Sequence, residues 1–169
     1  MRSQPSDRRS RALSLLGIYE TVGGLVGIGL MGWLSVRHPE ALPWGNLLIA
    51  ASPFGLVLTA GLRLRQRYAG GWPLSLLAQL IQVCSWSGRR IVWKFCAGGY
   101  LYAVLTSKRP TLSAGVDATL LVGTRITDHV PTVGLNLVPV AVILFLFSCR
   151  RSARVSKLLD HSISTDRAQ

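Results

Sequence analysis

Glu20 is the residue whose type and position most strongly suggest a chemical role, because it is a single carboxylate inside the apolar run from Leu13 to Val36. On insertion scales a comparable charge near the bilayer centre costs about 2.5–3.5 kcal/mol, so such a group needs a partner or a function. One interpretation is a neutral carboxyl that is hydrogen-bonded to a neighbouring helix, and the other is a proton- or cation-binding site. Gln79 and Gln82 lie at a similar depth in a later apolar run and are the expected partners.

Two apolar runs are separated by the cationic residues Arg89, Arg90 and Lys94. These charged residues also need either a structural or a functional explanation. Their long stems allow them to act as interfacial anchors whose charged ends reach the headgroups. The alternative is that they line a polar cavity or bind an anionic lipid phosphate. An ion pair between Glu20 and Arg89 or Arg90 requires a third helix that is broken or steeply tilted.

Patterns typical of catalysis or metal binding are missing from the sequence. There is no GxSxG or HExxH motif, and the three cysteines have no metal-ligand spacing. Asp128 and His129 are adjacent in a polar loop, where neighbouring side chains usually point apart. We therefore predict that the chain is not an enzyme and that it holds no metal ion or cofactor.

Glycines in the first apolar run predict close helix packing. Gly23 and Gly27 form a GxxxG pair, which allows two membrane helices to approach closely. A helical wheel places them on the same face as Glu20. The second apolar run carries a matching stripe of small residues, so we expect an antiparallel hairpin. The predicted packing residues are Gly17, Gly23, Gly24, Gly27, Ala51 and Gly55.

The composition favours a membrane protein. Hydrophobic residues make up 49% of the 169 residues and charged residues only 15%, with 19 Lys+Arg against 7 Asp+Glu. A net charge of +12 suits either nucleic acid or an anionic membrane surface. Because the basic residues form short clusters between long apolar runs, the membrane is favoured and nucleic acid is not an expected partner.

The apolar runs predict an all-α membrane protein with four transmembrane helices. The expected spans are 13–36, 45–62, 74–106 and 132–149, with basic or polar tails at 1–12 and 150–169 and a polar external loop at 108–131. The third span is expected to break near residues 87–88. Either it is one long helix from Leu74, or 74–86 lies along the membrane surface and 91–106 crosses.

The distribution of Lys and Arg predicts the orientation. The N-terminal tail, the 63–72 loop and the C-terminal tail contain 4 + 3 + 5 = 12 basic residues, whereas the 37–44 turn and the 108–131 loop contain 1 + 3 = 4. Basic residues concentrate on the cytoplasmic side of membrane proteins. Both termini are therefore expected in the cytoplasm, which requires an even number of crossings.

Four segments of the chain resemble a group of small bacterial inner-membrane proteins to which no activity is assigned. The resemblance is carried by LLGIYETVGGLVGIGL, PLSLLAQLIQV, FCAGGYL and VGLNLVPVAVILFLF, which together extend over most of the chain. It implies a bacterial inner-membrane location and carries no site residue. The strong preference for Arg, 16 against 3 Lys, departs from what is expected of that group.

The function predicted from these features is that of a small structural or accessory membrane protein, acting by helix packing with itself or with another membrane protein. The expected partners are the lipid bilayer, including anionic headgroups, and a second copy or a membrane-protein partner. The alternative is a minor transporter or channel subunit that uses Glu20 together with Arg89 and Arg90.

Overall fold

The computed structural model describes residues 5–39, 44–66, 70–87, 92–106, 109–123 and 132–150. In chain order these form α1 (Pro5–Arg37), α2 (Trp44–Arg65), α3 (Gly71–Val83), β1 (Cys84–Ser87), β2 (Val92–Thr106), β3 (Pro110–Gly123), β4 (Thr132–Asn136) and α4 (Leu137–Arg150). The architecture is therefore mixed α/β, with a four-stranded antiparallel sheet beside the helices.

Helices α1 and α2 form a close antiparallel hairpin whose contact is made by glycines. A Cβ atom placed on Gly61 of α2 would lie 2.5 Å from the Thr21 amide nitrogen and 2.6 Å from the Gly17 carbonyl oxygen of α1. Such distances leave no room for a side chain, so the two backbones meet directly. Both helices are long and apolar enough to cross a membrane, over Arg9–Arg37 and Asn46–Arg65.

Pro53 lies inside α2 and cannot donate the backbone hydrogen bond that the Ile49 carbonyl would otherwise accept. The Ser52 hydroxyl donates to that carbonyl instead, at 2.8 Å. Hydroxyl side chains commonly satisfy backbone groups that a proline frees in a membrane helix. The helix therefore continues through the proline to Arg65.

Strand β2 folds back on itself, as its pairings require. One edge pairs with β3 from Val92 to Leu105, while the other edge pairs with β1 at the beginning of the strand and with β4 at its end. If β2 were straight, β1 and β4 would both be antiparallel to it and thus parallel to each other. They pair antiparallel instead, so β2 must reverse direction between Trp93 and Tyr102.

The centre of this reversal is Gly98, whose φ of +124° is a conformation that residues with a Cβ rarely adopt. Glycine inside a strand often marks such a bend. Strand β3 follows β2 through the reversal, because the pairing is continuous across Gly98 and Asp117. The four strands therefore form a strongly curved sheet.

The prediction of an all-α protein with four transmembrane helices is wrong. The 74–106 stretch holds only the 13-residue α3 before the chain becomes extended at Cys84, and the 132–149 stretch begins with strand β4. Residues 92–106 are rich in aromatic and β-branched residues, which favour strands. Apolar run length alone did not distinguish a buried strand from a membrane helix.

The sheet packs along the side of the helical hairpin. Phe54 of α2 and Phe95 of β2 are both fully buried and meet edge to face, with ring centroids 5.1 Å apart. On α1, a Cβ at Gly23 would lie 2.7 Å from the Ala97 carbonyl oxygen of β2. The bend in β2 therefore lies against the middle of α1, which brings the strand close to Glu20.

One end of the molecule collects helix termini that carry arginines. A Cβ at Gly17 would meet the Arg65 side chain, and Gly71 at the start of α3 abuts the Arg63 backbone. The Trp72 indole donates to the Leu146 carbonyl of α4, and the Arg150 guanidinium lies 4.6 Å from the Trp72 ring centroid. Gly17 of α1, the end of α2, the start of α3 and the end of α4 are thus close together.

Candidate functional site

The candidate site is centred on Glu20, whose side chain is 0% exposed. Glu20 Oε1 accepts hydrogen bonds from Ser75 Oγ at 2.5 Å and from Gln79 Nε2 at 2.8 Å, both on α3. Within the described residues, Glu20 Oε2 has no hydrogen-bond partner. The described residues supply two hydrogen-bond donors and no cation to this buried carboxyl, which is therefore best accommodated as the neutral acid, because burying an unpaired charge is far more unfavourable.

Helix α3 supplies this polar face through its residue spacing. Ser75, Gln79 and Gln82 are four and three residues apart, so they share one face of the helix. All three are buried. The Gln82 amide donates to the Ala78 carbonyl at 2.9 Å, and its Oε1 accepts from the Ala97 backbone N–H at 2.9 Å. The polar stripe on α3 therefore connects the Glu20 carboxyl to the bend in β2.

Three side chains accept hydrogen bonds from backbone N–H groups of β2 at the bend, where the strand edge opposite β3 has no paired strand among the described residues. Along the edge opposite β3, the N–H groups of Ala97, Gly99 and Leu101 donate to Gln82, Tyr19 and Asn136. The corresponding distances are 2.9, 2.8 and 3.1 Å. The Tyr19 hydroxyl also donates to the Gly99 carbonyl at 3.3 Å.

These contacts take the place of a paired strand. A buried backbone N–H without a partner costs about 1–3 kcal/mol, so an open strand edge inside a protein has to be satisfied by other groups. The donors and acceptors come from α1, from α3 and from the end of β4. Three separate elements thus hold the bend. Tyr19 is adjacent in sequence to Glu20, so α1 contributes both to the bend and to the buried carboxyl.

An ion pair lies on the sheet close to the bend. Lys94 Nζ is 3.3 Å from Asp117 Oδ2, and it lies 5.6 Å and 5.4 Å from the ring centroids of Tyr100 and Tyr102. Lys94 precedes the bend and the two tyrosines follow it, so the ammonium group links the two halves of β2. Cation–π contacts of this kind contribute about 0.5–2 kcal/mol, depending on their solvent exposure.

Cys96 is a buried thiol on the same strand. Burial, with a smaller contribution from Asp117, raises the pKa of the Cys96 thiol to about 11. Burial likewise raises the pKa of the Tyr102 hydroxyl, which donates to the Phe95 carbonyl at 3.4 Å. Both groups are therefore protonated near neutral pH, and Cys96 lacks the thiolate that nucleophilic chemistry needs.

The structure distributes the predicted packing glycines over two surfaces. Gly17, Gly24 and Gly27 face α2, where a Cβ would meet Gly61, Leu58 and Phe54 respectively. Gly23 faces β2 instead. Of the residues predicted on α2, Ala51 is half-buried, and a Cβ at Gly55 would have nothing within 4 Å.

The structure describes only part of the predicted polar site. It brings Glu20, Gln79 and Gln82 into one connected group, while Arg89 and Arg90 lie outside the described residues. No cluster of three or more His, Cys, Asp or Glu side chains suitable for a metal ion occurs in the described part of the chain.

Four residues of the site were not singled out from the sequence: Tyr19, Ser75, Gly98 and Asn136. Ser75 carried a usable signal, because it shares the α3 face with the two glutamines. Gly98 and Gly99 also carried one, since two adjacent glycines in a run of strand-forming residues indicate a bend. Tyr19 and Asn136 had none, because their partners are backbone groups distant in the sequence.

Comparison with protein-family models, with curated proteins and with solved structures found no match. The resemblance to small bacterial inner-membrane proteins therefore stays a prediction.

Proposed function

We propose that this chain is a small structural or accessory protein of the bacterial inner membrane, in which the α1–α2 hairpin lies in the bilayer and packs against a second copy or another membrane protein. The observation that supports this best is one continuous exposed apolar stripe on α1. Its members are Leu15, Ile18, Val22, Leu25, Val26, Leu30, Trp33 and Val36, each between 40% and 68% exposed.

The dimensions of this stripe suit a bilayer. Twenty-one residues separate Leu15 from Val36, which corresponds to about 32 Å of helix, close to the roughly 30 Å of a hydrocarbon core. Exposed apolar patches larger than a few hundred Å² are rare on soluble monomers and typically mark membrane or protein contact sites. Leu48 and Ile49 of α2 are also largely exposed and enlarge this surface.

The polar contacts at the β2 bend support the same proposal. Non-helical backbone occurs at membrane depth only where it is buried in protein and its polar groups are satisfied. Tyr19, Gln82 and Asn136 satisfy the N–H groups that β2 exposes opposite the middle of α1.

A depth-dependent substitution tests the membrane placement. Val22→Arg lies near the middle of the stripe, and Val36→Arg lies at its end beside Arg37. In a bilayer Val22→Arg costs about 2.5–3.5 kcal/mol, whereas an arginine at the end of a helix reaches the headgroups at little cost. We expect Val22→Arg to reduce the amount of protein in carbonate-washed membranes and Val36→Arg to leave it unchanged. Equal amounts for both variants would contradict the proposal.

Site-specific photo-crosslinking from Leu25 tests the accessory role, since this side chain is 55% exposed on the stripe. We expect an adduct of defined mass that contains either a second copy or one other membrane protein. A matched photo-reactive group at buried Val57 of α2 should give no such adduct. If Leu25 yields only lipid adducts, the hairpin is a simple anchor and the packing role fails.

A transporter or channel subunit is the second candidate, favoured by Glu20 Oε2, which is buried and has no hydrogen-bond partner among the described residues. Ion or proton flux through purified protein in liposomes, compared with Glu20→Gln, tests it. Flux that is present in the wild type and lost in the variant supports transport. Flux that is undetectable or equal in the two proteins excludes a role for Glu20 in transport.

A further inference from the structure

We propose that the groove between the C-terminal end of α1, the first half of α2, the beginning of β2 and the end of β3 binds one lipid acyl chain. The groove has a volume of about 710 Å³, within the roughly 300–1,000 Å³ typical of small-molecule sites. Met31 and Leu34 of α1, Ile49 and Pro53 of α2, and Trp93 and Leu121 of the sheet contribute to its wall. This inference goes beyond the proposed function, on which it rests for the source of the ligand.

The groove begins where the close contacts between the helices and the sheet end. Near Gly24 and Gly27 the two helices are in direct contact, and Phe54 with Phe95 fills the space between them and β2. Of the α2 residues that line the groove, Ala50 and Ser52 are small. A larger side chain at either position is therefore expected to fill part of the groove.

Polarity along the groove matches an amphipathic ligand. Most of its lining residues are apolar, whereas His38 and Asn46 lie where α1 ends and α2 begins. Arg37 is next to His38, and its guanidinium lies 5.8 Å from the Trp33 ring centroid. A methylene chain suits the apolar wall, and a phosphate or carboxylate can accept hydrogen bonds from polar side chains such as His38 and Asn46.

The location of the groove identifies its occupant. In the proposed bilayer, residues 31–38 and 46–53 form the half of the hairpin remote from the arginine-rich end, so the groove opens at the depth of the acyl chains of one leaflet. An apolar groove at that depth excludes water and is filled by hydrocarbon. A phospholipid and a free fatty acid share this chemistry, and the experiment below separates them.

Trp93 lies in the wall of the groove and serves as the probe. In a variant that retains Trp93 and replaces the tryptophans at positions 33, 44, 72 and 86 by Phe, we expect quenching of its emission by lipids with brominated acyl chains. The protein is purified in detergent and titrated separately with brominated phosphatidylglycerol, brominated phosphatidylethanolamine and a brominated free fatty acid. Quenching by the fatty acid alone identifies it as the ligand, and quenching by a phospholipid identifies the membrane lipid.

A groove-filling substitution separates a bound chain from lipid that merely surrounds the protein. Ala50→Phe places a ring inside the groove, while Val22→Phe, the matched control, adds a ring to the exposed stripe on α1. We expect Ala50→Phe to lose most of the Trp93 quenching and Val22→Phe to retain it. If Ala50→Phe is quenched as strongly as the control, or if no brominated lipid quenches Trp93, the proposal is overturned.

Ser52→Phe provides a second groove-filling variant in case Ala50→Phe does not fold, as judged by circular dichroism and gel filtration. The test also remains separate from that of the membrane placement. If the protein proves monodisperse in buffer without detergent, the proposed function fails, and titration with the brominated fatty acid in buffer still decides whether the groove binds a chain.

Discussion

Glu20 receives hydrogen-bond donors at one of its two oxygens, and this asymmetry defines what it does in the fold. Oε1 accepts from Ser75 and Gln79 of α3, while Oε2 is buried and unpartnered among the described residues. A neutral acid with its carbonyl oxygen directed at α3 explains both observations. At the scale of the residue, Glu20 therefore joins α1 to α3.

The neutral state of Glu20 predicts different effects for two substitutions. Glu20→Gln retains the acceptor for both donors and nearly the same shape, so we expect a loss of unfolding free energy below about 1 kcal/mol. Glu20→Leu leaves the buried Ser75 hydroxyl and Gln79 amide without their acceptor and should cost about 2–4 kcal/mol. Unfolding by SDS in mixed micelles measures both changes. A loss for Glu20→Gln as large as that for Glu20→Leu would contradict the neutral acid.

Cysteine reactivity provides a second prediction at this scale. Cys96 is buried and its pKa is raised to about 11, whereas Cys84 is exposed. Thiolates react with maleimides and thiols do not, so Cys96 should stay unmodified in the folded protein at pH 7 and Cys84 should react. Two variants that each keep one of these cysteines allow the comparison by mass spectrometry. Rapid labelling of Cys96 without denaturant would contradict the buried position of β2.

At the scale of elements, the α1–α2 hairpin depends on a close contact at Gly61, which the small-residue pattern in the sequence did not single out. Gly61 of α2 is in direct contact with the α1 backbone, yet Gly55 and Ala51 fitted the small-residue spacing. Spacing identifies a stripe of small residues. Which of them touches the neighbouring helix depends on the register and crossing angle, and these are set by side chains along both helices.

Alanine substitutions distinguish contact glycines from free ones. Gly61→Ala forces a Cβ against the backbone of α1 and should destabilise the hairpin by about 1–3 kcal/mol. Gly29→Ala, the matched control, adds a Cβ in open space inside α1 and should stabilise the helix by about 0.5–1 kcal/mol. Opposite signs in the measured unfolding free energies are expected. A stabilising Gly61→Ala would rule out the close hairpin.

The bend in β2 joins the helices to the sheet, and Tyr19 and Gly98 should be energetically coupled. Gly98→Ala introduces a Cβ at positive φ and within 2.5 Å of the Tyr19 hydroxyl, whereas Gly99→Ala meets nothing closer than 3.7 Å. Tyr19→Phe removes the hydroxyl that binds Gly99 and should cost about 1–3 kcal/mol.

A double-mutant cycle measures this coupling. Tyr19→Phe removes the nearest of the three Tyr19 atoms that a Gly98→Ala side chain would strike and leaves Cζ and Cε2 at 2.7 and 2.9 Å. Because part of the clash is relieved, the double variant should be more stable than the sum of the single effects by at least about 0.5 kcal/mol. Additive effects would show that Tyr19 does not contact the bend. Gly99→Ala in place of Gly98→Ala should give a cycle close to additive.

At the scale of the whole molecule, helix ends and charges define two poles. Arg63, Arg65 and Arg150 lie at one pole, on the side of Gly17 of α1, and Arg37 lies at the other. Arginine concentrates on the cytoplasmic side of bacterial membrane proteins. The arginine-rich pole is therefore expected to face the cytoplasm.

Cysteine labelling in intact cells tests this orientation. In a background without native cysteines, Arg37→Cys should react with a membrane-impermeant maleimide added outside the cells. Arg65→Cys should react only after the membrane is permeabilised; both native side chains are exposed in the structure. Labelling of both positions from outside would contradict the orientation and the bilayer position of the hairpin.

The sequence by itself determined the local properties of the chain. The length and apolarity of residues 13–36 and 45–62 follow from composition, and both stretches lie within α1 and α2. The face shared by Gln79 and Gln82 follows from helical periodicity. Glu20 stands out because it is the one charged residue in the apolar run from Leu13 to Val36. These properties depend on residues a few positions apart, and the spacing along the chain therefore contains them.

Only the tertiary structure decided that residues 84–87, 92–106 and 132–136 form strands. Their sequences are apolar enough for helices, and β1 pairs with β4 although Ser87 and Thr132 are about 45 residues apart in the chain. Residues 110–123, which were expected in a polar external loop, form β3 by pairing with β2. The reversal at Gly98 depends on acceptors from α1, α3 and β4. Strand formation is governed by such distant neighbours more than by intrinsic preference, so a sequence read in short windows favoured helices.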